Sequence, residues 1–251
     1  ADAEPSLVNR KITGSAIVKK ANEMKSIDEV RTCAQSISKD LNDIGINYNF
    51  SPVVDMSPNA TVGFRSFGAV PANIIPWSGA FIDETQKQGI IATAKHFPGH
   101  GLVSGDTHKS LQVIDGELKE IQNYPPLITQ GVLSIMVAHI AVQNNAKYQT
   151  NGLPATCSKT IVTDLLKNEM GFKGLIVTDA MNMGGVVAVP ECAYKAVAAG
   201  CDIVLMPVDA KKAHTEILQY YRKDAAFKAQ VDAAAKKVIR MKIALGLLYK
   251  A

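Results

Sequence analysis

Short apolar runs alternate with amphipathic helical patterns along this chain, and this alternation limits the folds that it can adopt. Five runs are apolar almost without interruption: residues 46–55, 89–96, 133–140, 175–179 and 201–206. Runs of this kind are typical of parallel strands that are covered on both faces. Strands that alternate with helices indicate an α/β protein whose parallel sheet is connected by right-handed crossovers.

Helix signals lie between the apolar runs. Ser26 and Glu29 form the pattern of a capping box, and the apolar helical face that follows them ends at Gly45. We therefore predict a helix between Ser26 and Gly45. The same reasoning predicts three further helices, at residues 158–170, 191–199 and 231–248.

Size, charge and cysteine usage narrow the class of protein. The 251 residues, 47% of them hydrophobic, are enough for one large α/β domain over residues 1–251. The net charge of +4 is spread along the chain without a basic block, which argues against nucleic-acid binding. No apolar run approaches the ~20 residues of a membrane helix. The four scattered cysteines are typical of a reduced compartment, so we expect a cytoplasmic protein, with a processed exported form left open.

Charged and imidazole side chains concentrate where the predicted strands end. Residues 95–101 read KHFPGHG, Asp179 ends another run, and Asp55 and His139 end two more. Parallel α/β proteins build their sites at the carboxyl ends of strands. The sequence therefore predicts a functional site at this edge, in which Asp55 and His139 are either ligand contacts or satisfied core residues.

Asp106 and His108 stand two residues apart in a loop that contains Gly99, Gly101 and Gly105. In an extended segment they face the same side, so Asp106 can accept from one imidazole nitrogen and leave the other free to exchange protons. The alternative is an Asx-turn beside an exposed histidine. The glycines are typical of a mobile lid or of ordinary turns.

Two further residues carry two interpretations each. Asp179 is either the cap of the following helix or a nucleophile that a cation such as Lys95 would keep ionised from ~4–6 Å away. Arg65 is suited to hydroxyl or carboxylate recognition, and equally to a surface salt bridge.

A metal site is the remaining possibility that the residues raise. His96, His100, His108, His139 and Asp179 could gather at one edge, but neither H-x-H nor H-E-x-x-H is present. We therefore expect no metal.

Together these segments resemble the catalytic domain of glycoside hydrolase family 3, and most closely its β-N-acetylglucosaminidase branch. Five stretches carry the resemblance in family order: 49–55 (NFSPVVD), 65–68 (RSFG), 95–101 (KHFPGHG) with 106–108 (DTH), 136–139 (MVAH) and 171–181 (GFKGLIVTDAM). They cover most of the chain from about residue 46 to 207. The D-x-H tail separates this branch from the β-glucosidases.

The resemblance implies a (β/α)8 barrel of the TIM type that hydrolyses terminal β-linked N-acetylglucosamine with retention of configuration. It implies that Asp179 is the nucleophile and that His108, oriented by Asp106, is the acid/base. Four residues are expected to bind sugar hydroxyls, and a fifth to lie near the sugar: Asp2, Arg65, Lys95 and His96, and then Met181. The implied substrate is a small carbohydrate from peptidoglycan, with no cofactor, and the implied protein is a monomer.

Departures from the family pattern concern the start of the chain. The family's first two strands and nearly all of its third have no counterpart, and Ala1–Glu4 resembles the end of the third. We therefore expect a single barrel domain that lacks its first two to three strands. This leaves two other hypotheses open: a non-catalytic sugar-binding remnant, and a phosphorylase that uses the same site.

Overall fold

The computed structural model describes residues 1–248, which form an α/β protein with parallel strands. The helices are α1 (Val8–Lys11), α2 (Ile27–Asp43), α3 (Pro71–Lys87), α4 (Tyr124–Gln130), α5 (Cys192–Ala199), α6 (Ala210–Lys223) and α7 (Ala225–Ala244), with a π-helix over Thr160–Glu169. The strands are β1 (Tyr48–Asn49), β2 (Ile91–Phe97), β3 (Gln112–Asp115), β4 (Ser134–Val137), β5 (Ile140–Gln143) and β6 (Leu175–Thr178). The chain divides into two compact units.

The first unit comprises residues 1–102 and 119–136. In its parallel sheet β1 pairs with β2, in the register Tyr48 with Ile91, and the strand order continues to β4. Helices α2 and α3 pack together, and their apolar faces form a core that includes Ile37, Leu41 and Phe81. Every residue of β2 is buried, as expected for a central parallel strand.

The first residues of the chain lie beside β1. The Phe50 amide donates to the carbonyl of Ala1 at 2.7 Å, and the Asn49 side chain bonds both the N–H and the C=O of Ala3. These bonds place Asp2 and Glu4 at the edge of the sheet near the end of β2, which contains Lys95 and His96.

The second unit comprises residues 103–118 and 137–248. It contains a parallel pair formed by β3 and β5, together with β6, which is extended by a single parallel bridge from Val177 to Ile203. Helices α5, α6 and α7 pack on one another around the stacked rings of Tyr194 and Tyr220.

Several predictions from sequence are confirmed. The hydroxyl of Ser26 accepts from the Glu29 amide at the start of α2, and Gly45 follows its end with φ +75°. Strands form within the first four apolar runs, and the strand pairs β1–β2 and β3–β5 are parallel.

Other elements differ from the prediction. The fifth run contributes only the bridge at Ile203, because the hydroxyl of Thr178 takes the place of a backbone acceptor for Leu205 and the backbone turns at Met206, where φ is 47°. The last helix begins at Ala225 and ends at Ala244, instead of spanning 231–248. Helices α3 and α6 and the pair β3–β5 were not predicted. Between residues 1 and 248, none of the helices combines the length and apolarity needed to cross a membrane.

Candidate active site

Lys95 is the centre of a buried charged cluster in the first unit. Its Nζ lies 2.5 Å from Asp2 Oδ1 and 2.5 Å from Glu4 Oε1, and only 3% of the side chain is exposed. Burial of an unpaired ammonium would be costly, so the two carboxylates are what allow a lysine at this position. Lys95 reaches both because the residues before α1 lie beside β1.

Arg65 and Lys11 complete this cluster. The Arg65 guanidinium binds the Glu4 carboxylate through two hydrogen bonds, of 2.8 Å from Nε and 2.6 Å from a terminal nitrogen. Lys11 binds the second oxygen of Asp2. Three cations therefore surround two carboxylates, and Arg65 is in a buried ion pair and not the surface salt bridge that the sequence left open.

The cluster is ionised at neutral pH. Burial acts to raise the pKa of Asp2 and of Glu4, but Lys95 and the other cations outweigh it, and both pKa values lie below their ordinary range. Burial acts to lower the pKa of Lys95, and the two carboxylates raise it above its ordinary value. Fixed opposite charges of this kind are suited to binding hydroxyl groups in defined positions.

His96 has a different partner from its neighbour Lys95, to which it is joined by a cis peptide bond. Its Nδ1 lies 2.6 Å from Asp55 Oδ2, and Asp55 also accepts from the backbone amides of His96 and His100. Burial would raise the pKa of Asp55, but the histidines lower it, so the carboxylate stays charged. Asp55 is 1% exposed and hydrogen-bonded within the first unit, so of its two interpretations it is the satisfied core residue, and it orients His96.

Glu120 is a buried residue that the sequence did not reveal. Its carboxylate accepts from the backbone amides of Met56, Gly101 and Leu102 at 2.6, 3.2 and 3.1 Å. Burial and the charge of Asp55 raise the pKa of Glu120 to about 8, while these three amides act in the opposite direction. The loop after β2 is therefore fixed from within the first unit.

The second unit contains the Asp106–His108 pair. Asp106 Oδ1 lies 2.8 Å from His108 Nδ1 and also accepts from the His108 amide at 2.9 Å. The sequence left two alternatives, and the structure contains both: an Asx-type turn and a carboxylate that orients the imidazole. Burial acts to raise the pKa of Asp106, but the bonds from His108 lower it below its ordinary value. The histidine side chain is 61% exposed.

Asp179 follows β6 in the same unit. Its amide donates to the carbonyl of Val137 at 2.8 Å, and its Oδ1 accepts from the Ala180 amide at 2.8 Å. Met181 is buried, and its amide donates to Leu205 at 2.9 Å. The backbone on both sides of the carboxylate is thus anchored to neighbouring strand ends.

Two glycines connect the Asp106–His108 loop to the segment that follows Asp179. The amides of Gly184 and Gly185 donate to the carbonyls of His108 and Thr107 at 2.9 and 3.0 Å. A Cβ on Gly184 would lie 2.2 Å from the Lys109 carbonyl oxygen, so only glycine allows this approach. The candidate nucleophile and the candidate acid/base therefore lie on segments that are hydrogen-bonded to each other.

The candidate residues thus form one group in each unit. Asp2, Arg65 and Lys95 meet in the first unit, and His96 lies next to them in sequence with its own carboxylate. Four others belong to the second unit: Asp106, His108, Asp179 and Met181. Sequence reasoning did not reveal that Glu4 binds Lys95 and Arg65. Its position two residues after Asp2 was a signal, because residues two apart in an extended segment face the same side.

Comparison of the sequence with known proteins identifies a matching family and a relative. The glycosyl hydrolase family 3 N-terminal domain matches residues 15–241. The β-N-acetylglucosaminidase/β-glucosidase of Cellulomonas fimi is 30% identical over 239 residues, which are 88% of this chain and 42% of that protein.

Solved structures of other proteins are also similar to this chain. A glycoside hydrolase family 3 β-N-acetylglucosaminidase from Paenibacillus sp. str. FPU-7 has a TM-score of 0.91 at 26% identity, over 100% of this chain and 50% of that one. The β-N-acetylhexosaminidase from Beutenbergia cavernae DSM 12333 has a TM-score of 0.83 at 27% identity, over 93% of this chain and 73% of that one. This chain therefore spans half or less of the length of two of these three relatives.

Proposed function

This chain belongs to glycoside hydrolase family 3, and from that premise we propose that it carries the catalytic residues of a retaining exo-β-N-acetylglucosaminidase. The substrate is a terminal β-linked N-acetylglucosamine on a peptidoglycan fragment. The relatives named above are described as β-N-acetylglucosaminidases or β-N-acetylhexosaminidases, which supports this substrate class. The fold that we propose for this chain is that of a single (β/α)8 barrel domain.

The reaction proceeds in two steps. The Asp179 carboxylate attacks the anomeric carbon while His108 donates a proton to the glycosidic oxygen, so the leaving group departs as an alcohol and a glycosyl ester forms. His108, now neutral, removes a proton from water, the water oxygen attacks the anomeric carbon, and the ester bond to Asp179 breaks. A retaining glycosidase uses two such groups, and here the imidazole takes the place of the second carboxylate.

Asp106 orients this acid/base and stabilises its protonated form. It accepts from Nδ1, which leaves Nε2 of His108 to exchange the proton, and its negative charge stabilises the imidazolium. An exposed histidine on a loop can follow the leaving-group oxygen in the first step and the water in the second.

The first unit supplies the groups that bind the sugar. We assign Asp2, Lys95, Arg65 and His96 to its hydroxyl groups, and Met181 of the second unit to an apolar contact. Side chains carry every step, so the mechanism uses no cofactor. The protein acts on a small carbohydrate as a cytoplasmic monomer.

One observation carries the proposal: the loop of the Asp106–His108 pair is hydrogen-bonded to Gly184 and Gly185, which follow Asp179 by five and six residues. A double displacement requires a nucleophilic carboxylate and an acid/base, and these two connected segments supply one of each.

The test is covalent trapping. A 5-fluoro analogue of N-acetylglucosamine with an activated leaving group should label the peptide that contains Asp179. Asp179→Asn should lower kcat by at least about 10³-fold with the fold retained. Asp43→Asn, at an exposed position of α2, is the matched control and should keep full activity. Label on another residue would remove Asp179 from its role.

Product analysis separates the remaining hypotheses. Hydrolysis should release N-acetylglucosamine at a rate that does not depend on phosphate. A sugar 1-phosphate formed in phosphate buffer would establish phosphorolysis, and binding of N-acetylglucosamine without turnover would establish a sugar-binding remnant.

A further inference from the structure

His139 is a fully buried histidine whose two ring nitrogens are both bonded within the second unit. Nδ1 lies 2.9 Å from the hydroxyl of Thr156, and Nε2 lies 3.0 Å from the carbonyl oxygen of Ala180. The ring therefore connects the turn Ala155–Cys157 to the residue that directly follows Asp179.

These partners determine where the proton of the ring lies. A carbonyl oxygen can only accept, so Nε2 of His139 must carry a hydrogen and donate it to Ala180. In the neutral ring Nδ1 is then an acceptor, and the Thr156 hydroxyl donates to it. Both ring nitrogens are thus engaged with groups of the second unit, and the ring is held in one orientation.

The bond to Ala180 acts on the candidate nucleophile. The amide of Ala180 donates to Asp179 Oδ1 at 2.8 Å, while its carbonyl accepts from His139. Ala180 is thus anchored on both sides, and a shift of its carbonyl would shift the amide that orients the Asp179 carboxylate.

His139 also contacts the segment that binds the acid/base loop. A Cβ on Gly185 would lie 3.0 Å from His139 Cβ and 3.1 Å from the Thr107 carbonyl oxygen, so the three backbones are in close contact there. The amide of Gly185 donates to that same carbonyl, one residue before His108. The backbone of His139 therefore lies against the glycine that anchors the loop of the Asp106–His108 pair.

We propose that His139 is a positioning residue that sets the spacing between the Asp179 carboxylate and the His108 imidazole. It acts through Ala180 on one side and through Gly185 on the other. This inference rests on the function proposed above, because it assigns His139 to the same two-step reaction.

Two substitutions separate positioning from packing. Gln places an amide nitrogen where His has Nε2, so His139→Gln keeps the donor to Ala180, whereas His139→Asn places its amide nitrogen near Nδ1 and loses that donor. We expect kcat to fall about 100-fold in His139→Asn, the loss typical of a misplacement of about 1 Å, and about 10-fold or less in His139→Gln. KM should change little in both. His214→Gln, an exposed histidine on α6, is the control and should behave as wild type.

Two further measurements test the inference beside the kinetics of the His139 variants. Nitrogen NMR of the histidine side chains should show one ring, absent from the His139→Gln spectrum, with its proton on Nε2 across the pH range of activity. Thr156→Val removes the donor to Nδ1 and should lower kcat with KM retained. A proton on Nδ1 of His139, or equal kcat in the Gln and Asn variants, would overturn the proposal.

Asp179→Asn, measured in parallel, distinguishes a failure of the proposed function from a failure of the positioning role alone. If that variant keeps its activity, the proposed function fails. If it is inactive while His139→Asn turns over at the wild-type rate, only the positioning role is wrong.

Discussion

The two units of this protein pair cations with carboxylates at similar distances but in opposite surroundings. Lys95 lies 2.5 Å from Glu4, and the two side chains are 3% and 0% exposed. His108 lies 2.8 Å from Asp106, and these side chains are 61% and 32% exposed. The first pair belongs to the group assigned to sugar binding, and the second to the group assigned to proton transfer.

The difference in exposure explains why each pair suits its role. Removing one partner of a buried pair leaves an uncompensated charge, so the geometry of the Lys95 cluster is stable and rigid. An exposed pair is screened by water and contributes little to stability, and its exposure suits the acid/base role that we propose for His108. Rigid binding groups and an adaptable acid/base are complementary requirements of one reaction.

The largest expected effect is that of Lys95→Met. It leaves Asp2 and Glu4 with one cation fewer in a buried site, so we expect the free energy of unfolding to fall by about 3–5 kcal/mol. Denaturant unfolding measures this loss. Lys39→Met breaks an exposed ion pair on α2 and is the matched control, with a change within about 0.5 kcal/mol. Equal losses in both variants would show that burial does not separate the two kinds of pair.

His108→Ala should show the reverse pattern. We expect kcat to fall by about 10²–10⁴-fold, because the reaction loses its general acid, while the free energy of unfolding changes by no more than about 0.5 kcal/mol. Substrates with good leaving groups, which need less protonation, should lose less. Steady-state kinetics with a series of aryl glycosides checks this, and a uniform loss across the series would argue against acid catalysis.

Asp106→Asn is a smaller change to the same pair. The amide cannot stabilise the imidazolium as the carboxylate does, so we expect kcat to fall about 10–100-fold at neutral pH. Steady-state kinetics of the variant and the wild type check this. An unchanged kcat would mean that Asp106 has only a turn-forming role.

The smallest expected effect concerns stability in acid. The pKa of Glu4 in the folded protein is lowered from its ordinary 4.5, so its contribution to stability is present above about pH 4.5 and is lost as the pH falls through the folded value. The free energy of unfolding should therefore decrease below about pH 4.5 in the wild type, and less steeply in Glu4→Gln. Identical slopes in the two proteins would contradict the assignment.

Local patterns predicted much of the fold. The cap at Ser26, the glycine after α2 and the buried strand β2 depend on neighbouring residues, and each formed where the sequence indicated. The pair β3–β5 was missed, because two short strands whose paired residues are 28 positions apart stabilise each other only after the chain has folded.

In the candidate site, too, contacts between residues close in sequence could be predicted and contacts between distant residues could not. Asp106 and His108 are two residues apart, so their hydrogen bond could be expected from spacing. Nothing local to Glu120 indicated that it would accept from three amides, and Glu4 acquired its role from Lys95, 91 positions away. Long-range partners of this kind leave no periodic signal in the sequence.

The sequence by itself determined the strand–helix alternation, the capped helix α2, the family and the identity of the paired loop residues, because these depend on contacts over a few positions or on a contiguous motif. Only the tertiary structure decided which carboxylates neutralise Lys95, that His139 bonds Ala180, and that Gly184 and Gly185 connect the His108 loop to the segment after Asp179. The physical reason is that the cost of burying a charge or a polar group is met by partners from distant parts of the chain, and only the folded backbone brings them within hydrogen-bonding distance.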